Sequence, residues 1–155
     1  MSVNDTNAVI QIDQLTKQYG EFTALSSLSM QVGQGQIMGF IGPNGAGKTT
    51  TIKILVGLLK PTSGNARIAG ADCLTESRKI KKLVGYMPDD FGKYNNMRVS
   101  EYLDFFGAVY GIARKPRRMR IDEVLEIAGA TYMKDLFVDA LSRGMQQRVA
   151  LARTM

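Results

Sequence analysis

Apolar and polar positions alternate through the first thirty residues. Between Ala8 and Leu15, Ile10 and Ile12 stand among polar neighbours, a period of two that predicts an edge strand. Tyr19-Gly20 predicts a turn, and Leu28, Met30 and Val32 then alternate up to the turn at Gly33 and Gly35. The pattern changes at Ile37-Met38-Gly39-Phe40-Ile41, a continuous apolar run that suits a strand buried on both faces. From Thr49 to Leu59, Ile52, Leu55, Val56 and Leu59 recur at helical spacing, and Pro61-Thr62-Ser63-Gly64 closes that predicted helix. A short strand around Arg67–Ala69, a basic helix near Thr75–Lys82 and a second buried strand at Leu83–Met87, ended by Pro88, follow. Beyond Pro88 the pattern is helical. Helices are predicted over Val99–Tyr110 and over Arg117–Ala128, the latter with Ile121, Val124, Leu125 and Ala128 on one face. A last helix begins near Ser142 and is still running at Met155.

Between the buried run at Ile37–Ile41 and the helix stands Gly42-Pro43-Asn44-Gly45-Ala46-Gly47-Lys48-Thr49, which matches G-x-x-x-x-G-K-[ST] in the strand-to-helix context the motif needs. Each residue type has a chemical reason. Glycines let backbone N–H groups converge on phosphate oxygens without side-chain interference. The start of the following helix adds partial positive charge aimed at the same anion. Lys48 reaches the β- and γ-phosphates as a mobile cation, and the Thr49 hydroxyl, with Thr50 beside it, stands where Mg²⁺ is ligated. The loop points to a magnesium–nucleoside triphosphate but does not choose among kinases, GTPases, helicases and transport ATPases.

The chain of 155 residues suits one globular domain, and 45% apolar with 22% charged residues is near the average for a folded chain. The 20 Lys and Arg outnumber the 14 Asp and Glu, giving +6, a surplus that fits polyphosphates, anionic membranes or nucleic acid alike. A single cysteine, Cys73, allows no internal disulfide and suits a reducing cytosol; Cys73 itself reads as inert. With no histidine, the usual neutral-pH acid–base group is missing. The N-terminus does not read as a signal peptide, and no apolar stretch is long enough to span a bilayer, so any membrane association is expected through a partner. Arg114-Lys115-Pro116-Arg117-Arg118-Met119-Arg120 packs five basic residues into seven positions; with no aromatic among them it reads as a solvated helix start rather than a nucleic-acid or lipid patch.

A second motif narrows the family. Leu141-Ser142-Arg143-Gly144-Met145-Gln146-Gln147-Arg148-Val149-Ala150-Leu151-Ala152-Arg153 resembles the signature of ABC-type ATPases, L-S-G-G-Q followed by a Q-R-x-x-x-A-R helix, with Arg143 in place of the first signature glycine. Together with the phosphate loop, the resemblance covers essentially the whole chain. It implies an α/β P-loop NTPase core of ABC type, with an antiparallel β subdomain and a helical subdomain. The expected division is a β-rich nucleotide-binding core at 1–88, a Q-loop and helical subdomain at 89–140, and the signature motif with its helix at 141–155. The resemblance also implies site residues. Tyr19 takes the place of the aromatic that stacks on adenine. Gly42 to Thr50 cradle the phosphates. Asp89 takes the place of the Q-loop glutamine that contacts Mg²⁺ and the attacking water, although Asp90 next door leaves the register open. Ser142, Gly144 and Met145 face the γ-phosphate of a nucleotide held by the opposite protomer; a simpler reading makes Ser142 an N-cap, and both can hold.

The stretch from Tyr94 to Phe106 and the Leu-Ser-Arg-Gly-Met spelling are similar to ATPase subunits of bacterial exporters with a separate permease. That similarity implies ATP and Mg²⁺ as cofactors, an integral membrane permease and a second ATPase subunit as partners, and a cytoplasmic place on the inner face of the membrane. A rival class, ABC-type ATPases acting on nucleic acid or the ribosome, carries long coiled coils or paired domains. No sustained heptads separate Lys48 from Ser142, so no nucleic-acid partner is expected. The family's strand ending in an Mg²⁺-binding Asp, its neighbouring catalytic Glu and a downstream His are not found before Met155. The expectation is therefore an ABC ATPase lacking its C-terminal strands, a hydrolase when complete and inactive, or a non-catalytic binding fragment, as the 155 residues alone.

Overall fold

The computed structural model describes residues 8–88, Gly92 and residues 94–155. The chain divides into two compact units, Met1–Val84 and Gly85–Met155.

In the first unit, β1 (Ala8–Tyr19) and β2 (Phe22–Gly33) form a long hairpin, with Ile12 opposite Met30 and Tyr19 opposite Phe22. Strands β3 (Ser63–Ile68) and β4 (Ala71–Asp72) extend it into an antiparallel sheet of order β2-β1-β3-β4. The first strand is therefore interior, not the edge its alternation suggested, because Ile10 to Asp13 pair with β3 on one side while the same strand pairs with β2 on the other. A bulge at Gln14, whose φ is +47°, shifts the register so that Ile12 and Leu15, three residues apart, both reach the core. Gly64 at φ +81° packs directly on the Gln14 carbonyl and leaves no room for a Cβ.

Two helices cover this sheet. Helix α1 (Lys48–Leu55) buries Thr51 and Ile54, and α2 (Ser77–Leu83) buries Ile80, against Ile12, Leu15, Leu25, Ala66, Ile68, Ala71 and Cys73. Of the predicted helical face, Leu55 and Leu59 pack partly buried against this core. Ile52 is exposed, and the helix stops at Leu55, where Gly57 at φ +70° turns the chain and the N–H groups of Leu58 and Leu59 both donate to the Lys53 carbonyl. Burial raises the Cys73 thiol from its ordinary 9.0 to about 11, so it stays protonated and unreactive at neutral pH.

Neither strand predicted to be buried on both faces forms. Residues 37–41 run without secondary structure, and Ile37 and Ile41 are fully exposed; residues 84–88 are likewise irregular, with Met87 half-exposed. A strand buried on two faces exists only where neighbours pair its backbone and cover both sides. Among the described residues no strand lies beside either segment.

The second unit is helical. Helices α3 (Val99–Val109), α4 (Arg114–Ile127) and α5 (Arg143–Thr154) pack Val99, Tyr102, Leu103, Ile121, Val124, Leu125, Val149 and Ala152 around one core, with 3-10 turns at Thr131–Met133 and Val138–Ala140 between α4 and α5. The apolar face predicted for Ile121, Val124, Leu125 and Ala128 is the buried one. Glu101 accepts from the Arg98 N–H at 2.7 Å and so closes the first turn of α3.

Candidate functional site

The glycine loop lies between residue 41 and α1. Gly45 at φ +84° and Gly47 at φ +82° adopt the left-handed conformation that side chains resist. At Gly47 the requirement is also spatial, since a Cβ there would stand 2.7 Å from the Ala24 carbonyl oxygen and 3.0 Å from Leu25 Cδ1. Gly47 thus ties the loop to β2 and serves as the N-cap of α1, with no side chain capping the helix. Among the described residues the N–H groups of Gly45 and Gly47 donate to no protein acceptor. With the open first turn of α1 they form a concentration of amide donors suited to an anion. Thr51 anchors the arrangement from below, its N–H and its buried hydroxyl both donating to the Gly47 carbonyl, at 2.8 and 2.9 Å.

Lys48 extends along this loop. Its Nζ donates to the carbonyls of Gly42 at 2.6 Å and Pro43 at 2.7 Å, which holds the cation against the loop backbone. The Thr49 side chain is exposed at the rim, and Thr50 lies next to it. Tyr19, Phe22 and Ala24 line the same cleft of about 330 Å³ with Asn44, Gly45, Ala46, Gly47, Lys48, Thr49 and Thr50. Tyr19 is half-exposed, with Lys17 Nζ 4.9 Å from its ring centroid. Its presence here is a consequence of the β1–β2 register, which ends the hairpin beside the phosphate loop.

This arrangement fits a nucleoside polyphosphate: amide donors and a cation at one end of a cleft, exposed aromatic rings at the other. For Mg²⁺ it supplies one hydroxyl, Thr49, and the described residues hold no group of three acidic, His or Cys side chains. That sparse set is what Mg²⁺ accepts when phosphates and water complete its shell. Phe22 escaped the sequence analysis. The available signal was its place directly after the Tyr19-Gly20 turn, where a two-residue hairpin connection sets it opposite Tyr19.

The signature residues lie in the other unit. Ser142 N-caps α5, its hydroxyl accepting from the Met145 N–H at 3.4 Å, a long bond, while its carbonyl accepts from the Gln146 N–H at 2.9 Å. Ser142, Arg143 and Gly144 are exposed and a Cβ at Gly144 would meet nothing, whereas Met145 is partly buried against the helical core. The α5 start is therefore held from beneath and open above. Two arginines of the motif fix the helix. Arg148 Nη1 donates to the Gly129 carbonyl at 2.9 Å, at the C-terminal end of α4, and Arg153 Nη1 donates to the buried Tyr102 hydroxyl at 2.7 Å. Gly85 to Pro88, the described part of the expected Q-loop segment, are irregular; Asp89 and Asp90 lie outside the described residues.

A left-handed glycine loop at a helix start, carrying a lysine and flanked by an antiparallel sheet, defines a P-loop nucleotide-binding protein. The chain belongs to the ABC transporter family, whose model matches residues 25–155. It is 40% identical over 144 residues to the probable multidrug ABC transporter ATP-binding protein YbhF of Escherichia coli, covering 93% of this chain and 25% of that protein. It is also 40% identical over 149 residues to the bacitracin transport ATP-binding protein BcrA of Bacillus licheniformis, covering 96% of this chain and 48% of the relative. The chain thus spans half or less of the length of these curated relatives. Among solved structures it resembles cbiO1 from Clostridium perfringens, part of an ABC transporter complex, with TM-score 0.80 and 25% identity over 96% of this chain and 61% of that one. The dimeric bacterial ABC transporter cassette MJ0796 matches with TM-score 0.79 and 27% identity, over 94% of this chain and 68% of that one.

Proposed function

We propose that Gly42, Pro43, Asn44, Gly45, Ala46, Gly47, Lys48, Thr49 and Thr50 hold the phosphates of Mg–ATP while Tyr19 stacks on its adenine. The observation that carries this reading is the pairing of Lys48 Nζ with the Gly42 and Pro43 carbonyls over an α1 start that no side chain caps. Lys48 supplies mobile positive charge, the amides supply fixed dipoles, and Thr49 supplies the hydroxyl for Mg²⁺. Bound Mg²⁺ would neutralise charge on the β- and γ-phosphates.

In the complete protein, we propose that ATP hydrolysis powers a membrane exporter built with a permease subunit, on the cytoplasmic face of the membrane. The support is the printed function of relatives, among them bacitracin transport and Nod factor export. We further propose that two ATPase subunits pair around ATP, with Ser142, Gly144 and Met145 turned to the partner's nucleotide. The exposed α5 N-terminus supports that role, as does the dimeric state of the related cassette, which another structure captures with ADP and Pi. Asp89 is proposed for the Q-loop contact on its sequence position alone.

The test is titration of a fluorescent ATP analogue. Lys48→Ala should weaken binding by roughly tenfold or more, the worth of a charged hydrogen-bonding group. Thr49→Ala should weaken it mainly when Mg²⁺ is present. Equal affinity in wild type and Lys48→Ala would remove the phosphate-loop assignment.

A further inference from the structure

The cleft beside the phosphate loop holds an aromatic residue that takes no part in binding phosphate. Phe22 opens β2, and its side chain is 63% exposed. A lone exposed ring is ordinary on a protein surface. This one is paired. Tyr19 and Phe22 lie directly opposite one another across the two-residue Gly20-Glu21 turn, so both side chains stand on one face of the hairpin. Phe22 and Ala24, two apart on β2, share that face, and both line the cleft.

Hairpin stability does not account for the pair. Opposed aromatic residues stabilise a hairpin by closing ring on ring, with centroids roughly 4.5–7 Å apart. Among the described residues, Tyr19 and Phe22 make no ring contact with each other or with any other ring. Lys17 Nζ lies over the Tyr19 ring instead, 4.9 Å from its centroid, and Tyr19 stays half-exposed even so. The backbone fixes how far these rings stand from the phosphate loop. A Cβ on Gly47 would lie 2.7 Å from the Ala24 carbonyl oxygen, so the strand that carries Phe22 runs against the loop that carries Lys48. The polar side chains of the lining, Asn44, Lys48, Thr49 and Thr50, all belong to that loop and its helix, whereas β1 and β2 contribute Tyr19, Phe22 and Ala24. The strands thus offer ring surface and one phenol, and no amide or carboxylate to read the edge of a base.

We propose, on the assignment of this cleft to Mg–ATP, that Phe22 is a second nucleoside-binding residue, packing on the nucleoside that Tyr19 stacks upon. The pair selects purine nucleotides by ring surface rather than by the groups on the base edge. Every base has a π-face, so stacking tolerates changes in its substituents. A purine, with two fused rings, covers more of Tyr19 and Phe22 than a pyrimidine does. Adenine and guanine differ at edges for which the strands supply no amide or carboxylate, so ATP and GTP are held alike. The phosphate loop meets only the triphosphate, and its grip is indifferent to Phe22.

Calorimetric titration of the 155-residue chain with Mg–ATP, Mg–GTP, Mg–CTP and inorganic tripolyphosphate tests the role of Phe22. Wild type should bind ATP and GTP with similar affinity, and CTP more weakly than either. Phe22→Ser should weaken ATP and GTP by about fivefold or more, the lower end of what a base–aromatic contact contributes, and leave tripolyphosphate binding unchanged. Phe22→Tyr, which keeps the ring, should restore both nucleotides. In a second measurement, 4-fluorophenylalanine placed at residue 22 should show a fluorine resonance that shifts with ATP or GTP and stays put with tripolyphosphate. That readout judges the proposal even when Phe22→Ser fails to fold, and a resonance that ignores ATP overturns it. Lys48→Ala keeps the two assignments apart. ATP affinity lost in Lys48→Ala but kept in Phe22→Ser overturns the role of Phe22 and leaves the cleft a nucleotide site. So does a loss in Phe22→Ser that is equal for ATP and tripolyphosphate. ATP affinity unchanged in Lys48→Ala overturns both assignments. A wild type that binds ATP far more tightly than GTP overturns selection by ring surface.

Discussion

At the residue scale, the site depends on positions where the backbone admits only glycine. Gly47 is the sharpest case, since its left-handed φ and its 2.7 Å Cβ approach to the Ala24 carbonyl act together. Gly47→Ala must either move the loop away from β2 or rotate Gly47, and both displace Lys48 and the first amides of α1. The expected result is a loss of ATP-analogue affinity beyond tenfold, with a fall in stability of about 1–3 kcal/mol from left-handed strain and the contact. Affinity equal to wild type, measured by the same titration, would show that the loop does not need its left-handed glycine. The neighbouring Gly45 has open space around it, so substitution there tests backbone conformation alone. Such distinctions are invisible in the motif, which writes both glycines with one letter.

At the element scale, much was legible because helices α3, α4 and α5 make their own hydrogen bonds and declare their buried face every three to four residues. Ile121, Val124 and Leu125 were readable as core for that reason. The start of α5 was readable from Ser142, whose residue type suits an N-cap. Its hydroxyl bond to Met145 is long, at 3.4 Å, and the exposed Ser142 and Gly144 leave the helix end accessible to an anion. A bulky cation at this position tests the proposed contact across two subunits. Ser142→Arg in the complete protein, made in a hydrolysis-deficient background, should bind ATP as wild type does yet fail to form the ATP-driven dimer. Light scattering on adding ATP reads the outcome, and a mutant that still dimerises would discard the role of Ser142 at a partner's nucleotide. The salt bridge from the largely buried Arg117 to the part-exposed Asp104, which holds the Asp104 carboxyl below its usual range, braces the α3–α4 turn.

At the scale of the whole molecule, nucleotide binding and hydrolysis are proposed to draw on different parts of the protein. In the proposed reading Lys48 and the α1 amides stabilise charge and Thr49 is one metal ligand, while no histidine is present among the 155 residues to deprotonate water. The chain as given should therefore release phosphate from ATP about 10²–10⁴-fold more slowly than the product of a longer reading frame that adds the family's Mg²⁺-binding Asp and catalytic Glu. Comparable turnover by both, in a phosphate-release assay, would place the catalytic base within Met1–Met155. The sequence by itself determined the phosphate loop, the signature helix and the helical faces, because each is written within a dozen neighbouring residues. It could not determine strand environment. The alternation in β1 reads the same whether one neighbour or two pair with it, and only the fold made it interior, with the Gln14 bulge carrying Leu15 to the core. The apolar run at 37–41 looks like a buried strand, but burial is a property of what lies beside it, and the described residues set nothing there. Tertiary structure alone also decided that Phe22 shares a cleft with Lys48, since a turn unites residues whose own spacing carries no sign of the meeting.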